Sequence, residues 1–297
     1  MTDFIGWGEF FALASALGWA ISVILLRHSG YSLPAFDLNL FKMVLAFVLF
    51  LPTLLVVHGL VLPDYTVREL ALVLVSGFLG IAVADTWYLR ALHLVGASRT
   101  GIVASLLSPF VILLSVIFLD ESLLGWQILG FALVMAGILL VTWRRARSEV
   151  EPEQVGKGIM FALGSVFLMA VGVVMVKQTL EVRPFIWTVE LRLLGGLTGM
   201  FVYIVMKRRW AQVKSAFSGP LPWAHIIAGS FLGGYLSMMM WLAGYRLISA
   251  SEASVLNESA NAWIVLLAWL FLGESLGLRK LTGLVLTMIG VMIMVLA

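Results

Sequence analysis

Among the ionisable residues within the long apolar stretches of this 297-residue chain, six are candidates for carrying transport chemistry: Asp37, Lys42, Asp85, Glu190, Arg192 and Glu258. An ionised side chain at mid-membrane costs about 2.5–3.5 kcal/mol on insertion scales, so each needs a partner or water. The pattern is densest around Glu258. Ser251, Ser254, Glu258 and Asn261 recur at i, i+3, i+7 and i+10, with Asn257 beside them, which draws one polar stripe along an apolar helix. Such a stripe is either the wall of a polar path or serine and asparagine glue between helices. The grouping of Glu258 with Asn257 and Asn261 favours the path. Glu258 and Glu190 are the two candidates for exchanging a proton with a substrate.

Lys42 follows Asn39 by three positions, and Arg192 follows Glu190 by two. These cations could hold a substrate carboxylate, pair with an acid such as Asp37 or Glu190, or snorkel toward a headgroup. Asp85, just before Trp87 and Tyr88, is either one of the transport groups or lies near the cytoplasmic end of its segment, where water solvates it. Trp19, Trp87, Trp241 and Trp263, with Tyr88 next to Trp87, lie deep in the apolar runs or beside the polar positions. An aromatic face there suits an amino group or organic cation through cation–π attraction, and core packing is the alternative for each ring.

The elements that must position these groups follow from composition. The chain is 62% hydrophobic and 12% charged, against about 45–50% and 25% in a soluble domain, and its mean hydropathy is +1.06. That is too little polar surface to wrap a soluble fold of this length. The absence of cysteine excludes a disulfide scaffold, and a scattered net charge of +3 excludes a nucleic-acid partner. No His-Glu-x-x-His, Gly-x-Ser-x-Gly or Walker pattern occurs, and the four histidines lack metal-ligand spacing. No enzymatic activity, cofactor or metal is therefore expected.

Ten apolar stretches are each long enough to cross a membrane: 8–27, 34–57, 67–92, 95–118, 123–143, 156–179, 184–206, 221–246, 249–272 and 276–296. They are about twice the length of barrel strands and apolar all round, so helices are expected. The first lacks a basic flank and is read as a transmembrane helix, not as a cleaved signal peptide.

The chain also repeats itself. Placing residue i over i+153 aligns 78–143 with 231–296 without a gap, and 18 of the 66 pairs are identical. The matches include Ala97-Ser98 with Ala250-Ser251, Glu121-Ser122-Leu123 with Glu274-Ser275-Leu276, and Gly130 and Gly137 with Gly283 and Gly290. Upstream, at offset 150, Gly8 falls on Gly158, Pro34 on Pro184 and Lys42 on Arg192. The expected fold is all-α: two five-helix repeats, 1–147 and 156–297, joined by a loop at 148–155. An odd number of spans per repeat inverts the second, which is the architecture of carriers that rock around a midplane site. The stripe's mate in span four is Ser98, Gly101, Ser105 and Ser108.

The repeated Glu-Ser pairs read as caps of the helices they precede, and the repeated glycines as packing surfaces within the chain or between protomers. Thirteen Lys and Arg fall on the side holding Arg144, Arg145, Arg147 and Lys207–Arg209, against Arg68, Lys177, Arg183 and Arg246 opposite. Positive-inside bias then places both termini away from the cytoplasm.

Trp19-Ala20 followed by Arg27, the run Trp87-Tyr88-Leu89-Arg90-Ala91-Leu92 before Ala97-Ser98, Pro109, and the two Glu-Ser turns together resemble the drug/metabolite transporter superfamily, in its ten-helix EamA-type members. The resemblance spans nearly the whole chain. Ala262 stands where the second repeat of that family has proline, so helix nine is expected to be straighter than helix four, and Asp120 stands where the family has glycine. The resemblance implies a multi-pass protein of a bacterial inner membrane, working as monomer or homodimer. It implies secondary export of a small polar metabolite such as an amino acid or amine; protons as the coupling ion are an expectation that rests on Glu190 and Glu258 themselves. A carrier of nucleotide-sugar or lipid-linked sugar, and a non-transporting intramembrane protein, are the alternatives.

Overall fold

The computed structural model describes residues 6–28, 33–59, 61, 63–123, 125–142, 152–272 and 277–296. Residues 148–151, Trp143, Arg144, Arg145, Arg147, the Glu274-Ser275 turn, both terminal residues and the side chains of Arg27, Ser98, Arg99 and Gly101 lie outside the description. In chain order the helices are α1 (Trp7–His28), α2 (Ala35–Val57), α3 (Val67–Gly77), a π-helical segment Phe78–Asp85, α4 (Thr86–Ala104), α5 (Leu107–Phe118), α6 (Gly125–Thr142), α7 (Pro152–Val182), α8 (Phe185–Met206) and α9 (Trp210–Ala216). The second half continues with α10 (Trp223–Ser230), a second π-helical segment Phe231–Leu236, α11 (Ser237–Leu247), α12 (Ala250–Asn257), α13 (Ser259–Leu272) and α14 (Leu278–Leu296). Among the described residues, eight helical stretches are long and apolar enough to cross a membrane, and Leu107–Phe118 and Gly125–Leu140 are shorter apolar helices. Helix α7 begins at Pro152, inside the stretch expected as connecting loop.

The spans expected at 67–92 and 95–118 are separated by packing and not by a loop. Helical backbone continues to Ala104. Trp87 and Arg90 lie on Phe161 of α7, with ring centroids 5.7 Å apart and the guanidinium 4.5 Å from the ring, and Val95 abuts Gly158. Phe110 then stacks edge-on to Phe167 at 5.4 Å, and Leu119 shares a cavity with Lys177 and Gln178. The chain first descends α7 and then climbs it, so it reverses between Val95 and Phe110.

Helices four and nine of the sequence are broken at equivalent positions. The first breaks at Ser105-Leu106, before Pro109 of α5, and the second at Glu258, between α12 and α13. Helix nine is therefore interrupted as helix four is, although Ala262 stands where a proline was expected. Proline explains the first break, because it lacks an N–H and crowds the preceding turn. In the second, Ser254 Oγ and Asn257 Nδ2 donate back to Ser251 O and Ala253 O at 2.7 and 2.9 Å, and such bonds weaken the i−4 ladder.

The halves interlock, and matching positions make matching contacts between them. Gly8 of α1 meets Ile248, and its repeat mate Gly158 of α7 meets Val95. Helices α6 and α14 run antiparallel: Gly130 faces Gly290, and Gly137 faces Gly283, with a methyl on Gly137 falling 2.6 Å from the Gly283 carbonyl. The repeated glycines thus meet inside the chain.

A second close crossing joins α3 to α8, where Gly77 lies against the Arg192 carbonyl and Gly195 against Leu74, whose carbonyl carbon would be 2.8 Å from an added Cβ. These neighbours are backbone and cannot swing aside. Gly77→Ala and Gly195→Ala are each expected to lower stability by about 1–3 kcal/mol through overpacking. Gly156→Ala, which meets nothing within 4 Å, is the control. Thermal unfolding in detergent reads both, and equal melting of all three variants would contradict the crossing.

On the face that holds the start of α3, Thr66 and Glu69 form a reciprocal capping box. Glu69 also receives Arg183 Nε and Nη2, both at 2.8 Å. That hydrogen-bonded carboxylate holds the Arg183 pKa above its ordinary value, and burial raises that of the neighbouring Tyr65 phenol. The turn before α6 carries Asp120 at φ 55°, a left-handed conformation that glycine takes freely and aspartate tolerates. That geometry accounts for the glycine expected there. It also aims Glu121 away from its own helix. The Glu121 carboxylate accepts Ala250 N at 2.6 Å, Ser251 N at 2.9 Å and Ser251 Oγ at 2.7 Å, so it caps α12 of the other half. Reading Glu121 as an acid that serves the helix it precedes is thus corrected: free N–H groups at a helix start attract a carboxylate wherever the fold brings one.

Candidate functional site

Between the interlocked halves lies a cavity of about 190 Å³. That is below the ~300–1,000 Å³ of drug-sized sites, so it suits a small metabolite. Its wall is assembled from α1, α2, both π-helical segments, α4, α5, α7, α8, α11, α12 and α13. The π-helical segments start at matching repeat positions, Phe78 and Phe231, and wide turns of this kind concentrate at functional sites. Each receives a cation from the opposite half. A Cβ on Gly80 would lie 2.8 Å from Arg192 Nη2, and one on Gly234 would lie 2.9 Å from Lys42 Cγ. Small residues here leave room for those two side chains.

One end of the polar wall is built around Glu258, which is 5% exposed. Ser108 Oγ lies 3.0 Å from both Ser254 O and Glu258 Oε1, so it can donate to either, and Asn261 Nδ2 donates to Glu258 Oε2 at 2.9 Å. Ser15 Oγ lies 2.7 Å from Asn257 Oδ1 and also from Ala12 O. The break at Glu258 exposes this group to the cavity, since Ser254, Asn257, Glu258 and Asn261 all line it. Ser251 does not, because Glu121 holds its hydroxyl.

The other end holds the charges. Lys42 Nζ pairs with Asp85 Oδ2 at 2.9 Å and lies 5.4 Å from the Trp19 ring centroid. Arg192 is 2% exposed, its guanidinium lies 5.5 Å from the Trp241 ring, and its Nε and Nη1 have no acceptor among the described residues. Lys42, Asp85, Arg192, Trp19, Trp241 and Tyr88 all line the cavity.

The structure therefore gathers Trp19, Lys42, Tyr88, Arg192, Trp241, Asn257, Glu258 and Asn261 from the sequence candidates and leaves five elsewhere. Asn39 donates to Ile81 O at 2.9 Å and Thr86 Oγ1 at 3.2 Å, bracing the first π-helical segment. Trp87 packs on Phe161 of α7. Ser105 is buried at the break, Trp263 is partly buried, and neither is among the lining residues. Glu190 is buried off the cavity, with both carboxyl oxygens unpartnered among the described residues.

Two pairing expectations also change. Asp37 lies 3.6 Å from Arg209, just before α9, and not against Lys42. Asp85, for which solvation at a segment end was one of two readings, is the partner of Lys42 inside the cavity. No local pattern links positions 42 and 85. Only the packing of α2 against the π-helical turn does so. Gly80, Gly233, Ser15, Ser237 and Met238 were missed as lining residues; the repeated Phe-Leu-Gly triplets were the available signal for the two glycines. The arrangement can hold a small charged molecule and pass a proton, and no cluster of three metal-binding side chains occurs among the described residues.

A sequence model of the EamA-like transporter family matches residues 6–143 and again 156–296. The chain is 26% identical over 175 residues to a protein of Bacillus subtilis (strain 168) named uncharacterized transporter YvbV; the alignment covers 57% of this chain and 53% of that one. The match thus spans about half the length of this curated relative. One solved crystal structure superposes with a TM-score of 0.77 over 96% of this chain and 95% of that chain, at 16% identity. At that identity the likeness concerns the fold alone.

Proposed function

Because the chain belongs to the EamA-like transporter family, matched in both of its halves, we propose that it is a secondary active transporter that exports a small polar metabolite, an amino acid, amine or related compound, by alternating access. The observation that supports this best is the cavity between the repeats, into which Lys42 and Arg192 project from matching positions. Ten spans in two inverted five-helix repeats agree with the antiparallel contact of α6 with α14, since equivalent helices of an inverted repeat run in opposite directions. Both termini then lie outside the cytoplasm. Glu258 is the proton-coupling group, because among the two acid candidates it lines the cavity and Glu190 does not.

Pairing of Lys42 with Asp85 argues against a nucleotide-sugar, whose phosphates would need both cations free. Purified protein in liposomes is expected to give saturable uptake or counterflow of an amino acid or amine, accelerated by a pH gradient. Flux equal to that of protein-free liposomes across such a panel would overturn the transporter reading and favour a non-transporting membrane protein.

A further inference from the structure

The two cavity cations differ in what they lack. Lys42 has a carboxylate at 2.9 Å. Arg192 has none among the described residues, although it is buried and lines the cavity, and two of its three nitrogens have no acceptor. Asp85 is close enough to act on Arg192 electrostatically, yet its ion pair is with Lys42. Leaving guanidinium donors unsatisfied in a buried site is costly, and a carboxylate satisfies them with paired, planar geometry that an amide or hydroxyl does not match. Trp241, 5.5 Å from the guanidinium, offers an apolar surface beside that charge. Gly80 gives the guanidinium its room, since a methyl there would fall 2.8 Å from Nη2.

We infer that Arg192 is the anchor for a carboxylate on the transported molecule, so that the cavity takes small monocarboxylates with an apolar body against Trp241 and rejects the corresponding amides and amines. This specifies the substrate class of the transport reading above and rests on it. Of the two cavity cations, Lys42 is neutralised by Asp85 and Arg192 has no carboxylate partner among the described residues, an arrangement that suits a single negative charge better than a phosphate dianion. Helix α8 supplies the anchor and the first π-helical segment supplies the space, so recognition straddles the two repeats.

The test uses the full chain in detergent, where no gradient or flux is required. Leucine and phenylalanine are compared by thermal shift and calorimetry with leucinamide and phenylalaninamide and with the matching decarboxylated amines. The acids are expected to bind at least about tenfold more tightly than the amides, the scale of a charge-assisted hydrogen bond. Arg192→Gln removes that preference. Gly80→Ala also removes it by displacing the guanidinium, and because its methyl meets only the end of a flexible side chain, the fold persists. Equal binding of acid and amide, a preference unchanged in folded Arg192→Gln or Gly80→Ala, or no binding by either acid would overturn the inference. Acids that bind but do not cross liposomes would overturn the transporter reading alone. Amines that cross without any acid binding would overturn this inference alone.

Discussion

Asp85→Asn is expected to destabilise the folded chain by about 3–5 kcal/mol, toward the lower end of that range, because it leaves Lys42 charged and buried with no counter-ion. The lysine side chain is 5% exposed and that of Asp85 16%, so water reaches the acid slightly and softens the loss. Lys42→Met should cost less, because Asp85 keeps the charge of Arg192 nearby. The double variant Lys42→Met with Asp85→Leu should recover most of the loss, since replacing a buried pair with apolar groups is often neutral while breaking it is not. Denaturant or thermal unfolding in detergent reads this cycle. Single variants as stable as the parent, or a double variant as unstable as the sum of the two, would mean that the pair is not held as described.

The second large effect concerns Glu258. Glu258→Gln preserves size and keeps an acceptor for Ser108, and Asn261 can turn its amide to meet the new NH₂, so the local fold should survive. A glutamine carries no exchangeable charge. Flux driven by a pH gradient is expected to fall to the level of protein-free liposomes, whereas gradient-free counterflow persists. Intramembrane acids that line a water-accessible path are the usual proton relays. Retention of the gradient response in Glu258→Gln would remove Glu258 from the coupling step, and loss of counterflow as well would make it a binding residue. Glu190→Gln, off the cavity, should leave both fluxes intact.

Much of the architecture was legible because its signals are periodic or duplicated. Runs of apolar residues about 20 long define membrane helices without reference to any partner, and the polar stripe through Ser254, Asn257, Glu258 and Asn261 survives as one wall of the cavity. Duplication raised Lys42 and Arg192 as a pair, and both do line the cavity. It also marked Gly130, Gly137, Gly283 and Gly290, which close the α6–α14 contact. What misled was local reasoning applied to groups whose partners are distant. Glu121 was assigned to the helix that follows it, whereas the left-handed turn at Asp120 aims it at α12. Ala262 suggested a helix straighter than its repeat mate, whereas this helix too is interrupted, at Glu258, beside side-chain bonds from Ser254 and Asn257.

Composition and repeat alone therefore determined a helical membrane protein in two related halves, with scarce charge drawn inward at a few positions. Those properties depend on the hydrophobic effect and on backbone hydrogen bonding, which act along each segment separately. Only the tertiary structure decided which charges are satisfied. Asp85 reaches Lys42 and leaves Arg192 donors open because a π-helical turn packs against α2 on one side and α8 on the other. Electrostatic pairing in a low-dielectric interior depends on distances of a few ångströms between segments far apart in sequence, and no pattern along the chain encodes those distances.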